Sequence, residues 1–270
     1  GAIGSGVIVS SFVKFDDAMR TLRVNLDLFG KSAQQVDRVM RPLEERIRSL
    51  AKTTPFNPTE VAGAAATLAK GGFNPQEILD SLQAVLDLAR ATDSELGSST
   101  TYLINALRTF GIETKYAGEI ASQFVRGARK GTLEIEDLAT ALKYSGSTAD
   151  NLGVSFQKMI AFFDVLSTRG LAGSIAGTSL NTALSQLTKK AEELAALGDI
   201  QLVVGIDKDG NEALDVLKSL ENLFKYADTL PFVKQQTLFQ DVFNLRGARV
   251  IPGIRKGLSE INALTDSIAN

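Results

Sequence analysis

The chain has 270 residues, which is long enough to bury a large hydrophobic core in one domain or two. It contains no cysteine and no histidine, which excludes disulfide bonds, thiolate nucleophiles and zinc sites built from those side chains. Its 29 basic and 31 acidic residues nearly cancel, so the charge does not indicate a nucleic-acid partner or an anionic membrane. Carboxylates, lysines, tyrosines and hydroxyls are the groups left for acid–base chemistry.

The first segment, residues 1–53, is predicted to form two long helices. Its start, residues 1–13, carries no charge but is shorter than the ~20 apolar residues that cross a bilayer. An apolar stripe with alternating spacings of three and four then follows the pattern of a coiled coil. The stripe consists of Phe12, Phe15, Met19, Leu22, Leu26 and Phe29. Ser32 and Gln35 form a capping box at the start of the second helix.

Two interpretations of this stripe remain open. In the first, the stripe packs on the second helix or on the rest of the domain. In the second, it is an oligomer or partner surface that joins copies of the chain, because the spacing is that of a coiled-coil seam.

The second segment, residues 54–198, is predicted to be a compact array of short helices. Asn57-Pro58 and Asn74-Pro75 lie 17 residues apart, and each is followed by a glutamate that completes a capping box. Later helix starts are expected after Thr132 and at Ser155. Gly170, Gly173 and Gly177 precede a long apolar stripe and indicate a turn followed by close helix packing.

The third segment, residues 199–270, is predicted to contain a small β element and then helices. The β-branched stretch 200–206 indicates a strand, and Asp207 to Asn211 indicates a tight turn. A helical stripe of Phe232, Phe239 and Phe243 follows. The predicted fold class is therefore all-α, with at most one small β-hairpin.

Patterns that resemble chemical sites are better explained as structure. The Asp207–Asn211 turn lacks the glycine position and the final glutamate of a calcium loop. The glycines at 170–177 lack the lysine of a phosphate-binding loop. Ser-x-x-Lys occurs twice, at Ser11 and Ser155, without the other motifs of serine acylases. We predict no catalytic residue, no cofactor and no metal site, and a hydrolase using these groups is the least favoured alternative.

An ordered series of short motifs resembles the core region of phage tail tape measure proteins over about residues 14–258. The motifs are 54–61, 68–73, 86–89, 105–111, 137–144, 152–155, 170–174, 176–178, the turn 207–211 and the stretch 243–252. Asn244, Leu245 and Arg246 depart from the family pattern, in which a glycine tends to follow soon after the phenylalanine.

The resemblance implies a structural virion protein, made in the host cytoplasm and located in the tail interior or tip. It implies that the parent protein sets tail length and leaves the tail during DNA ejection. The implied partners are other copies of the chain, with a trimer as one expected form, the tail tube, and the tail-tip or baseplate hub proteins. No sequence-specific nucleic-acid contact is implied.

A membrane-active or translocation module is the alternative function. It is motivated by the uncharged residues 1–13, and it implies contact with the host membrane during ejection.

Overall fold

The computed structural model describes residues 3–130, 133–196, 203–206 and 212–269. Most of these residues are helical, and the predicted all-α class is confirmed. In the described chain no helix is both long enough and apolar enough to cross a bilayer. The turn predicted at 207–211 and the first residues of the predicted strand lie outside the described residues.

Contacts between Cα atoms divide the chain into two compact units, Gly1–Ser122 and Gln123–Asn270. The first unit contains α1 (Ile3–Asn25), α2 (Ala33–Thr53), α3 (Pro58–Lys70), α4 (Pro75–Thr92), α5 (Leu96–Thr109) and a 3-10 turn at Thr114–Tyr116. Helix α6 (Ala117–Lys130) begins in the first unit and ends in the second. The segment boundaries predicted at 53/54 and 198/199 rest on changes in the sequence pattern, and they stay predictions.

The second unit contains the remaining helices and one hairpin. The helices are α7 (Ile135–Asn151), α8 (Phe156–Ser167), α9 (Gly173–Lys189), α10 (Ala191–Ala196), α11 (Val216–Asp228), α12 (Phe232–Gly247), α13 (Ile251–Lys256) and α14 (Leu258–Ala269). Strand β1 (Val204–Ile206) pairs antiparallel with β2 (Glu212–Leu214). The N–H of Val203 donates to Ser219 Oγ at 2.9 Å, which attaches the hairpin to α11.

Side-chain caps begin α2, α3 and α4 at the residues that the sequence predicted, whereas α7 begins after Glu134 without a side-chain cap. The Asn57 and Asn74 side chains each accept hydrogen bonds from two backbone N–H groups, and the following glutamates return to the cap residues. Ser32 with Gln35 forms the third predicted capping box. Because these caps satisfy orphan N–H groups at each start, they define short helices within one continuous chain.

Helix α3 is the centre of the first unit. It packs against α1, α2, α4 and α5. Its buried face is rich in alanine, and Ala62 and Ala65 are fully buried. Small side chains let neighbouring helix axes approach closely, so one short helix can contact four others.

Helix α8 is the most deeply buried helix of the second unit. Every residue in it except Gln157 and Lys158 is buried. Phe124 and Phe156 pack edge to face with their ring centroids 5.0 Å apart. Helices α13 and α14 also pack on α8.

Helices α7, α9 and α12 are joined by glycine contacts. A Cβ on Gly177 would lie 2.5 Å from the carbonyl oxygen of Ala141 on α7. A Cβ on Gly247 would lie 3.1 Å from the backbone nitrogen of Ala183 on α9. The close packing predicted for Gly177 is confirmed, and the contact brings motif 176–178 against motif 137–144.

We predict opposite effects for alanine at two helical glycines. Gly177→Ala would push α9 away from the α7 backbone and is expected to lower the free energy of unfolding by about 1–3 kcal/mol. Gly63→Ala in α3 meets no atom within 4 Å and should raise it by about 0.5–1 kcal/mol. Urea denaturation of both variants measures the two effects, and a shift of the same sign in both would contradict the packing described here.

Candidate interaction surfaces

Five of the six predicted stripe residues have side chains that the structure describes, and these five lie in three environments. Phe15 and Leu22 are buried. Met19 and Leu26 are half-buried, whereas the Phe29 side chain is 73% exposed. The side chain of Phe12 lies outside the described residues.

The middle of the stripe contacts other helices of the same chain. Helix α1 packs against α3. The Arg48 guanidinium lies 4.4 Å from the centre of the Phe15 ring, and Asn25 Nδ2 donates to the Ala66 carbonyl at 2.8 Å. The stripe as a surface between copies stays a prediction. Among the stripe residues whose side chains are described, Phe29 is the exposed aromatic group.

The turn after α1 explains why Phe29 is exposed. Helix α1 ends at Asn25, before the spacing of the stripe is complete. Asp27 and Gly30 both have positive φ angles, of 51° and 75°, which reverse the chain direction. Leu28 is buried by this turn and Phe29 points outward. The heptad spacing extends past the end of the helix, so it could not predict the orientation of Phe29.

A second exposed apolar surface, which the sequence did not indicate, lies on α12. Phe232 and Val233 begin this helix and are 72% and 74% exposed. Phe239 and Phe243 of the predicted stripe are buried, but Phe232 is not. Phe232 is the first residue of α12 and directly follows Pro231. This terminal position leaves its side chain in solvent.

A kink in α12 turns Leu245 outward. Asn244 has φ 52° and ψ 178°, and its Oδ1 accepts from the N–H groups of Arg246 and Gly247 at 3.0 and 3.2 Å. These hydrogen bonds compensate the interrupted helix. Leu245 is 74% exposed as a result. The kink falls on the triplet that departs from the family pattern, which is the one sequence signal that marked this place.

A cleft of about 210 Å³, called here the α12 cleft, adjoins the kink. It is lined by Gln236, Phe239, Gln240, Leu245, Ala248, Arg249 and Pro252. Its lining is mainly apolar and amide, and Arg249 is its one charged member.

A cleft of about 270 Å³ in the first unit has a different chemistry. It is lined by Phe73, Glu77, Leu107, Arg108, Gly111, Ile112, Glu113 and Thr114. Arg108 Nη2 donates to the Gly72 carbonyl at 2.8 Å, and its guanidinium lies 4.4 Å from the centre of the Phe73 ring. The guanidinium is also 3.6 Å from a Glu77 carboxylate oxygen. These contacts join motifs 68–73 and 105–111, so Arg108 has a structural role.

Ser155 and Glu95 make local structural contacts, whereas the Ser11 side chain and the turn 207–211 lie outside the described residues. Ser155 Oγ accepts from the backbone N–H of Lys158 at 3.3 Å, so this Ser-x-x-Lys pair is a helix cap. Glu95 caps α5, and backbone N–H groups of Gly97 and Ser98 hold the pKa of its carboxyl below the usual value. Within the described ranges, no acidic side chains cluster in a way that could hold a metal ion.

The described residues define an all-α protein with apolar side chains exposed at Phe29 and along α12. A family model described as phage-related minor tail protein matches residues 44–244, well over half of the chain. The chain belongs to this family of phage tail proteins.

Two curated relatives extend the comparison. A tape measure protein of Pneumococcus phage Dp-1 is 26% identical over 245 residues, which cover 89% of this chain and 21% of that protein. A probable tape measure protein of Escherichia phage P2 is 26% identical over 192 residues, which cover 69% of this chain and 23% of that protein. The predicted resemblance to tape measure proteins is confirmed. The chain spans less than a quarter of the length of either relative, and no solved structure matches it.

We predict that the α1 stripe contributes to folding through Leu22. Leu22→Ala removes a fully buried side chain and should lower the free energy of unfolding by about 2–5 kcal/mol. Val24→Ala, on the same helix but 47% exposed, should change it by no more than about 0.5 kcal/mol. Urea denaturation followed by circular dichroism measures both. Equal effects of the two substitutions would show that α1 does not pack as described.

Proposed function

We propose that this chain is a folded helical part of a tape measure protein. The parent protein sets the length of the tail and occupies the tail tube or tip until DNA ejection. The observation that carries this proposal is the similarity to a tape measure protein along 89% of the chain. Family membership supports the coarser role of a structural tail component.

The local structure is consistent with this chain being a folded part of the parent protein, while other parts determine the length of the tail. The longest helix here, α1, has 23 residues and therefore a length of roughly 35 Å at ~1.5 Å per residue. Tight turns and caps reverse the chain repeatedly, so these residues add little extended length. We infer that the length of the tail is set by other parts of a longer parent chain.

The proposed partners follow from the exposed surfaces. Other copies of the chain, the tail tube and the tail-tip or hub proteins are the expected contacts in the virion. Phe29 in the first unit and the α12 surface in the second present apolar side chains to such partners. Aromatic side chains, phenylalanine among them, are enriched in the cores of protein interfaces.

Tail length in phage with in-frame deletions tests the proposal. Deleting about 100 residues of the parent gene outside this chain should shorten the tail by roughly 150 Å if that part is an extended helix. Electron microscopy of purified virions measures the length directly. Gly177→Ala within this chain is the matched control, since it alters packing and removes no residue; tails that assemble with it should keep the wild-type length.

Intact tails of unchanged length in the deletion phage would contradict the proposal. The same result would leave the family membership and the fold in place. The chain would then be a helical tail component whose parent protein does not set the length of the tail.

A further inference from the structure

We propose that the chain binds a second copy of itself head to tail, with Phe29 of one copy inserted into the α12 cleft of the next. This proposal deepens the proposed self-association and rests on it. The two contact surfaces are called the Phe29 knob, consisting of Asp27 and Phe29, and the α12 cleft.

The Phe29 knob is an exposed aromatic group on a hydrogen-bonded turn. Leu28 is buried beside it and anchors the turn. The N–H groups of Leu26 and Asp27 donate to Leu22 and Val24 carbonyls at 3.0 Å, so the backbone leading to Phe29 is hydrogen-bonded. Because this backbone is already ordered, insertion of Phe29 costs the rotamer freedom of its side chain but little backbone entropy.

The α12 cleft has the size and the floor that a phenylalanine ring requires. Its volume is about 210 Å³, and an apolar cavity of about 150 Å³ is large enough to hold benzene. Phe239 in the cleft is packed edge to face against Phe224, with 6.0 Å between ring centroids. An entering ring would therefore contact an ordered aromatic surface and the exposed Leu245 side chain.

Charge selects this cleft over the one in the first unit. Arg249 at the α12 cleft and Asp27 in the knob are both exposed, and neither forms an ion pair within the part of the chain that the structure describes. An Asp27–Arg249 pair would orient the contact between copies. The first-unit cleft would instead place Asp27 near Glu77 and Glu113, and its arginine is already engaged.

The knob and the cleft are different surfaces, which determines the kind of assembly. A contact between unlike surfaces leaves one free knob and one free cleft after each binding step. Such association continues until a ring closes or a filament grows. The smallest such ring is a reciprocal pair, in which each knob enters the cleft of the other copy.

Two single variants allow the contact to be tested in both directions. Phe29→Ser removes the knob but keeps the cleft, and Arg249→Asp makes the cleft repel Asp27 but keeps the knob. Both positions are exposed, so the far-UV circular dichroism should match that of the wild type. The matched controls are Ile175→Ser, which removes another exposed apolar side chain, and Arg246→Asp, which makes the same charge change outside the cleft.

Sedimentation velocity over a concentration series measures the association of the 270-residue chain. We expect the mass of the wild type and of both controls to rise with concentration. For each single variant the dissociation constant should increase by about 30-fold or more, the effect of losing an interface hot spot. An equimolar mixture of the two variants should form a species of twice the monomer mass and nothing larger, because one working knob then meets one working cleft.

Three results would overturn the proposal: a monomeric wild type, single variants that associate like the wild type, or a mixture that stays monomeric. If the wild type associates independently of Phe29 and Arg249, copies of the chain meet through another surface. Tail length in the deletion phage is measured separately, so failure of this contact is distinguishable from failure of the proposed function.

Discussion

The close approach of α9 to α7 at Gly177 is the contact on which the second unit depends. Because Gly177 has no Cβ, its backbone can lie against the carbonyl group of Ala141. Gly247 allows α12 to approach the other side of α9 in the same way. With three helices at backbone-contact distance, the aromatic and leucine side chains of the unit can fill the remaining core space.

In the first unit, alanine side chains allow the same close approach of helices. Helix α3 contacts four helices because its buried face carries small side chains. Short capped helices and small contact residues are therefore two parts of one arrangement. The caps divide the chain into segments, and the small residues let those segments pack without long side chains between them.

Local features were predictable from the sequence. The caps at Ser32, Asn57 and Asn74 depend on residues three positions apart, so the pattern is sufficient to place them. The packing role of Gly177 was also predictable, although its partner on α7 was not. A glycine indicates that something approaches closely, but it does not identify the neighbour.

The exposed surfaces could not be predicted because they depend on where helices stop. The heptad spacing continues to Phe29, but α1 ends at Asn25 and the turn rotates Phe29 into solvent. The exposure of Leu245 likewise results from the Asn244 kink, where φ 52° with ψ 178° falls in a region that glycine normally occupies. The spacing of Phe232, Phe239 and Phe243 correctly predicts a helix. It does not indicate that Phe232, at the start of that helix, has no neighbouring residues in the described chain to bury it.

The central claim is that these helices form the same compact units inside an assembled tail. Because the chain has no cysteine, Thr148→Cys on α7 and Asn181→Cys on α9 can report on it without background labelling of this chain. In the native protein Thr148 Oγ1 lies 2.5 Å from Asn181 Oδ1. A short thiol cross-linker should therefore join the two cysteines. We expect the cross-link within one chain, in intact tails and in the purified chain alike, and none in either single-cysteine variant. A cross-link that forms in the purified chain but not in tails would contradict the account, because it would mean that α7 and α9 separate on assembly.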